Sequence, residues 1–197
     1  MAFYKALENV ELKKYSEAAE DFGVVFYSKG TFKTIKLFDK EVKKKVSAFF
    51  ENEERSSLMI SKEFSHLPND LLFVRDFDAK KPNHKKEAWI TGVFNQIDGM
   101  GIQAANVYAD TSGQFKDKNF VFNLAKYAEK SAYRYTDTNP NTKKERKLTS
   151  VTICVEKSSA ALVRNVELGY NVGRGANTAR NLGNRPANHA TPRSEEH

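Results

Sequence analysis

Several kinds of residue and motif are scarce in this chain, and each scarcity closes a class of function. Cysteine occurs once in 197 residues, so no internal disulfide can form. Cys154 sits inside an apolar alternation, which marks a buried structural thiol rather than a nucleophile. The four histidines, His66, His84, His189 and His197, fall in separate polar segments without ligand spacing, and no His-Glu-x-x-His or paired-cysteine motif is present. A Gly-x-Ser-x-Gly elbow is absent, and no hydroxyl has a recognisable base and orienting acid. Gly173-x-Gly175 lies within helical periodicity and follows no strand, so it reads as packing rather than a phosphate-binding turn. Asp76-Phe77-Asp78 is a tight carboxylate pair after a strand, where it reads as an ordinary loop. The longest apolar runs, such as Leu71 to Val74, fall far short of the roughly 20 residues a bilayer span requires. Met1 to Lys5 opens no signal-peptide pattern, so a cytoplasmic protein without a membrane partner is expected. No catalytic residue, metal ligand or cofactor is assigned to this chain.

What is present is the composition of a packed domain: 40% hydrophobic, 29% charged and 12% aromatic residues. The formal net charge is +7. That charge permits attraction to nucleic acid, but stretches such as Asp39 to Lys45 alternate acid and base as a solvated helix face does.

Hydrophobic periodicity predicts alternating strands and helices. Gly23 to Tyr27 is a buried strand ended by the turn Ser28-Lys29-Gly30, and Thr31 to Leu37 continues with β-branched and aromatic residues. Asp39 stands as N-cap ahead of a helical stripe of Val42, Val46, Phe49 and Phe50. Ser57 to Ser61 and Leu71 to Val74 form neighbouring strands on either side of the turn Pro68-Asn69-Asp70. Trp89, Val93 and Ile97 give a helix over Lys85 to Met100, closed by Gly99 and Gly101, and a strand-like run follows from Ile102 to Ala109. Leu124, Tyr127, Ala128, Ala132 and Tyr135 define an amphipathic helix from Phe120, with Lys126, Glu129, Lys130 and Arg134 between them on its polar side. A basic loop precedes the strand containing Val151, Ile153 and Val155. Ser158 caps a long last helix, about 158–183, on which Leu162, Val166, Tyr170 and Gly173 share a face. Gly169 and Gly173 each cost about 1 kcal/mol of helix propensity against alanine, so they imply a close backbone approach and a helix packed tightly on the sheet. The pattern predicts an α/β fold in three layers, with a mixed, mostly parallel sheet and helices on both faces.

The carboxy-terminal stretch carries a resemblance. Ala179-Arg180-Asn181-Leu182, then Asn184-Arg185-Pro186-Ala187-Asn188, then Thr191-Pro192 resemble in order the interdomain junction of the leucyl aminopeptidases, or cytosol aminopeptidases. The likeness extends upstream to about Asn119 through the order of helix, charged loop, strand and long helix. It implies that residues 1–183 are an amino-terminal, non-catalytic domain with a macro-domain-like fold, serving assembly and active-site access. Residues 184–197 would be the linker and the start of a catalytic domain, with Asn184, Pro186, Asn188, Thr191 and Pro192 marking the junction. The resemblance further implies a parent enzyme that removes amino-terminal residues from peptides. It would use two divalent ions, zinc or manganese, held in that further domain, and assemble as a homohexamer. The family's Asn-Thr-Asp-Ala-Glu-Gly-Arg motif does not occur here, so no catalytic residue is carried over and this chain alone is not expected to hydrolyse peptides.

Two binding readings stand beside this one. Some bacterial members of that family bind DNA, and a basic nucleic-acid-binding domain would use Lys143, Lys144, Arg146 and Lys147 with Arg164, Arg174 and Arg180. Macro domains proper bind ADP-ribose at glycine-rich loops after strands, which this sequence lacks. A stand-alone paralogue is a further alternative to a truncated enzyme.

Overall fold

The structure is a computed structural model that describes residues 5–19, 22–27, 38–52, 56–64, 69–76, 83–109, 119–134 and 146–184. Its frame is one six-stranded sheet. The strands are β1 (Asn9–Lys14), β2 (Phe22–Tyr27), β3 (Ser57–Ser61), β4 (Leu71–Asp76), β5 (Ala104–Tyr108) and β6 (Ser150–Val155). They lie in the order β1-β6-β5-β2-β4-β3. Every pairing is parallel except β3 with β4, which are antiparallel neighbours as their intervening turn predicts. Strand β1 was not foreseen. Val10 and Leu12 alternate with Glu11 and Lys13 over too short a run to stand out, and pairing with β6 from Asn9–Ser150 to Lys14–Val155 is what makes it a strand.

Side chains alternate across the sheet into two cores. Val24, Phe26, Phe73, Ala105, Val107, Val151, Ile153 and Val155 point to one side. Val25, Tyr27, Val74, Tyr108 and Cys154 point to the other. Because both faces are covered, the central strands read as continuous apolar runs.

The larger core is closed by three helices, α2 (Asn83–Gly99), α3 (Asn119–Ser131) and α4 (Ala160–Gly183). Ile90, Val93, Phe94 and Ile97 supply the stripe of α2, and Phe26 lies between the rings of Trp89 and Phe120, at 5.3 and 6.0 Å. Helix α2 ends as its glycines require: Gly101 has φ +80°, and Ile102 N–H donates to the Ile97 carbonyl at 3.4 Å.

The smaller core is closed differently. Helix α1 (Lys40–Asn52) lays Val42, Val46 and Phe50 on it, with the Phe50 ring stacked 4.5 Å from Tyr27. The rest is covered by the segment that follows β1, a 3-10 turn over Tyr15–Glu17 continuing to Ala19. Tyr15 packs its ring 5.6 Å from Tyr108 and donates its hydroxyl to the Ala109 carbonyl, while Asn106 donates to the Ala19 carbonyl. The predicted strand 31–37 lies outside the described residues. The architecture is a three-layer α/β fold with a mixed, mostly parallel sheet, as the sequence pattern predicts.

Candidate functional site

An array of polar groups lies along the seam between α3 and α4. Helix α4 starts at Ser159, whose Oγ accepts from Leu162 N–H at 3.3 Å; the cap is one residue later than expected. Val166, Gly169 and Gly173 then face inward. A Cβ on Gly169 would lie 2.2 Å from the Phe122 carbonyl oxygen, and one on Gly173 would lie 2.7 Å from that of Lys126. The close approach predicted at these glycines is real, but the partner is the backbone of α3 rather than the sheet. Gly175 faces open space, so it takes no part in this packing.

Beyond Gly173 the seam turns polar. Glu129 of α3 is fully buried, although its spacing had placed it among the solvated residues. Its carboxylate accepts from Leu7 N–H at 3.0 Å, and the Leu7 carbonyl accepts from the Tyr170 hydroxyl at 2.7 Å. Together they clamp the amino-terminal segment against both helices. Burial, and the negative charge of Glu129 after it, push the Tyr170 phenol above its ordinary pKa. Asn177 donates to the Glu129 carbonyl at 2.7 Å, and Asn184, the C-cap of α4, donates to the Tyr133 hydroxyl at 2.9 Å.

Arg146 enters the same seam. It was expected on a basic surface loop, yet its side chain is buried: Nε donates to the Leu148 carbonyl at 2.8 Å and Nη2 to Ser131 Oγ at 3.1 Å. Desolvation lowers its pKa to about 10; Asp98 and Glu129 oppose that fall and Arg134 adds to it. Arg146 therefore stays cationic at neutral pH beside the carboxy-terminal end of α3, where a positive charge is favoured. Arg134 donates to the carbonyls of Ser131 and Tyr133 at 2.9 Å. Asp98 of α2 completes the array, accepting from the backbone N–H groups of Lys147 and Leu148 at 2.7 and 3.0 Å and from Arg134 at 3.4 Å. Three buried atoms, Arg146 Nη1, Asn177 Oδ1 and Asn181 Nδ2, have no hydrogen-bond partner.

The remaining predicted positions are scattered. Lys147, Arg164, Arg174 and Arg180 are exposed, Arg174 lying over the Tyr170 ring at 5.8 Å. Lys143, Lys144, Pro186, Asn188, Thr191, Pro192, Phe77 and Asp78 lie outside the described residues, so of the junction positions only Asn184 can be placed. Across the sheet, Cys154 is fully buried, and desolvation pushes its thiol up to about 12. Burial also raises the Tyr108 phenol beside it, whose hydroxyl donates to Asn69. Among the described residues no group of three or more His, Cys, Asp or Glu could hold a metal ion, and no helix is long and apolar enough to cross a membrane. What the seam can do chemically is hold four pieces of chain in one arrangement, since its carboxylates and cations are engaged with backbone and with each other.

The strand order and the helices on both faces define a macrodomain-like α/β fold. No family model matches the sequence, and no curated protein matches it. Solved structures do resemble it. A tomato leucine aminopeptidase variant superposes with a TM-score of 0.68 at 14% identity, over 98% of this chain and 41% of that one. The bottromycin maturation enzyme BotP in complex with manganese gives 0.57 at 15% identity, over 90% of this chain and 34% of that one. An Oceanobacillus iheyensis macrodomain gives 0.54 at 9% identity, over 85% of this chain and 92% of that one. This chain thus spans about two fifths of the length of the tomato enzyme it resembles. At these identities the likeness is one of fold.

Proposed function

We propose that this chain is the amino-terminal, non-catalytic domain of a leucyl-aminopeptidase-type metalloexopeptidase. The observation that carries the reading is the structural likeness to the tomato leucine aminopeptidase, which takes in 98% of this chain at the highest TM-score reported above. The junction-like sequence after α4 supports it independently. In this reading the two divalent ions and the peptide chemistry belong to a catalytic domain after residue 184. The domain serves homohexamer assembly and access to the active site in a cytoplasmic enzyme. The seam suits that role, because it fixes the direction in which α4 leaves the domain: glycine contacts set the helix against α3, and Asn184 holds its last turn to Tyr133.

Two measurements test it. Leucine-amide hydrolysis with added manganese or zinc should not exceed that of a boiled control; clear turnover by this chain would refute the non-catalytic assignment. Coding sequence downstream of the His197 codon should contain an Asn-Thr-Asp-Ala-Glu-Gly-Arg stretch, and a stop codon there in the natural gene would favour a stand-alone paralogue instead.

A further inference from the structure

The sheet ends in two strands of opposite character. At one end β1 carries Glu11, Lys13 and Lys14, charges of the kind that keep a sheet edge from pairing. At the other end β3 reads Ser57-Leu58-Met59-Ile60-Ser61, with no charge and no proline to guard it. Among the described residues β3 pairs with β4 alone.

The hydrogen bonds to β4 fix what the open edge of β3 offers. Lys62 N–H donates to the Asp70 carbonyl at 3.0 Å, and Lys62 lies opposite Asp70 in the register that pairs Ser61 with Leu71. Bonded and non-bonded pairs alternate along an antiparallel ladder, so Ile60 and Leu58 bond to β4. The N–H and C=O groups of Ser57, Met59 and Ser61 are therefore directed away from β4, along the open edge. Leu58 and Ile60 turn their side chains into the smaller core, and Ile60 is buried. Met59 lies on the other face, 43% exposed, and Leu71 of β4, 47% exposed, shares that face. An apolar strand with a row of outward donors and acceptors is complementary to another strand.

We infer that β3 joins two copies of this chain, antiparallel about Met59, into one continuous sheet. The strand reads nearly the same in both directions, which suits an isologous contact with a two-fold axis. In this register Met59 meets Met59 of the other copy and Ser57 meets Ser61, so every outward donor and acceptor faces an outward partner and each pair exchanges both N–H···O bonds. Leu58 meets Ile60 on the side of the smaller core. Lys62, whose ammonium already lies 3.5 Å from Asp70, comes opposite Ser56, and no like charges oppose one another. A slip of one residue would set outward groups against groups already bonded to β4. The charged edge of β1 does not repeat the contact, so assembly stops at two. The inference does not depend on the function proposed above. A single strand pair about 17 Å long buries less than the roughly 1,200 Å² of a standard interface, so the dimer is weak and concentration-dependent.

Sedimentation equilibrium of the purified chain from micromolar to millimolar should show a reversible monomer–dimer system. Met59→Lys sets two like charges face to face on the axis and should weaken it by about tenfold or more, at an exposed site where the fold, checked by circular dichroism, is undisturbed. Met59→Pro removes an N–H that β4 does not use and should abolish the dimer while β3 stays paired with β4. Cross-linking reads the register. The chain's one native thiol, Cys154, is buried. Met59→Cys brings two Cα atoms to about 5.5 Å, within disulfide reach, and should form covalent dimers under a mild oxidant much faster than Met100→Cys, an exposed control on α2. Ser57→Cys mixed with Ser61→Cys should cross-link much faster than either variant alone. A monomer at every concentration would overturn the inference, as would a dimer indifferent to Met59→Lys, equal cross-linking at positions 59 and 100, or a mixture no faster than its separate components.

Discussion

The two ends of the α3–α4 seam solve the same packing problem in opposite ways. At the Gly169 end the helices touch backbone to backbone, and removal of the side chain lets two carbonyl ridges approach. At the Asn177 end the contact is made by hydrogen bonds, from Asn177 to the Glu129 carbonyl and from Asn184 to the Tyr133 hydroxyl, beside buried Glu129, Arg146 and Asn181. The first end is dry and tolerates no added atom. The second is polar and retains three buried atoms without partners, each of which costs stability. The difference teaches that one helix can be anchored by shape at one end and by specific bonds at the other. The bonded end is the one nearer the proposed domain junction.

The contrast can be broken most severely at Gly169. Gly169→Ala places a methyl 2.2 Å from a backbone oxygen that has no side-chain freedom to yield, and should lower the unfolding free energy by about 3 kcal/mol in urea titration. A loss under about 1 kcal/mol would mean that the helices part easily and the dry end is no anchor. The polar end is next. Asp98→Ala leaves the Lys147 and Leu148 amides without their acceptor and takes one of several partners from Arg134, and should cost about 2 kcal/mol by the same titration.

The opposite face of the sheet sharpens the comparison, because there the buried thiol of Cys154 carries no charge at neutral pH. Cys154 is held as the neutral thiol: its folded pKa, near 12, is above the unfolded value of about 8.5. Its stabilising contribution is therefore complete below about pH 8.5 and is lost as the pH rises toward 12. Between pH 8 and 10 the stability of Cys154→Ala relative to the native chain should improve by roughly 1.5 kcal/mol, as measured by denaturant titration at each pH. An unchanged difference would place the thiol in contact with solvent. The smallest effect has the opposite sign. Gly175→Ala adds a methyl to open space within a helix and should stabilise the chain by up to about 1 kcal/mol, seen as a rise in Tm, where the same change at Gly169 destabilises it.

Much of the fold was legible because periodicity reports which side of an element meets a core. The stripes of Val42 to Phe50 and Trp89 to Ile97, and the alternation Val151 to Val155, each name an element and its buried side. The legible part stopped where burial comes from a second neighbour. Glu129 sits on the polar side of α3 by spacing, but α4 lies over that side, and the buried carboxylate accepts a backbone N–H from Leu7, 122 residues away. Arg146 misled for a related reason. A run of lysines and arginine looks like a solvated loop, and nothing local signals that Ser131 and the end of α3 draw one member inward. The junction positions beyond Asn184 rest on sequence likeness alone.

The sequence by itself determined the class of fold, the absence of disulfides and the existence of the glycine pair, since these follow from composition, spacing and the cost of glycine in a helix. Only the tertiary structure decided what the glycines face. Propensity can show that Gly169 and Gly173 are out of place in a free helix, but the α3 backbone that requires them comes from nearly fifty residues earlier. The pairing of β1 with β6 and the burial of Glu129 and Arg146 have the same origin. Each depends on which surfaces the closed sheet brings together, and that is a property of three dimensions which no local stretch of chain encodes.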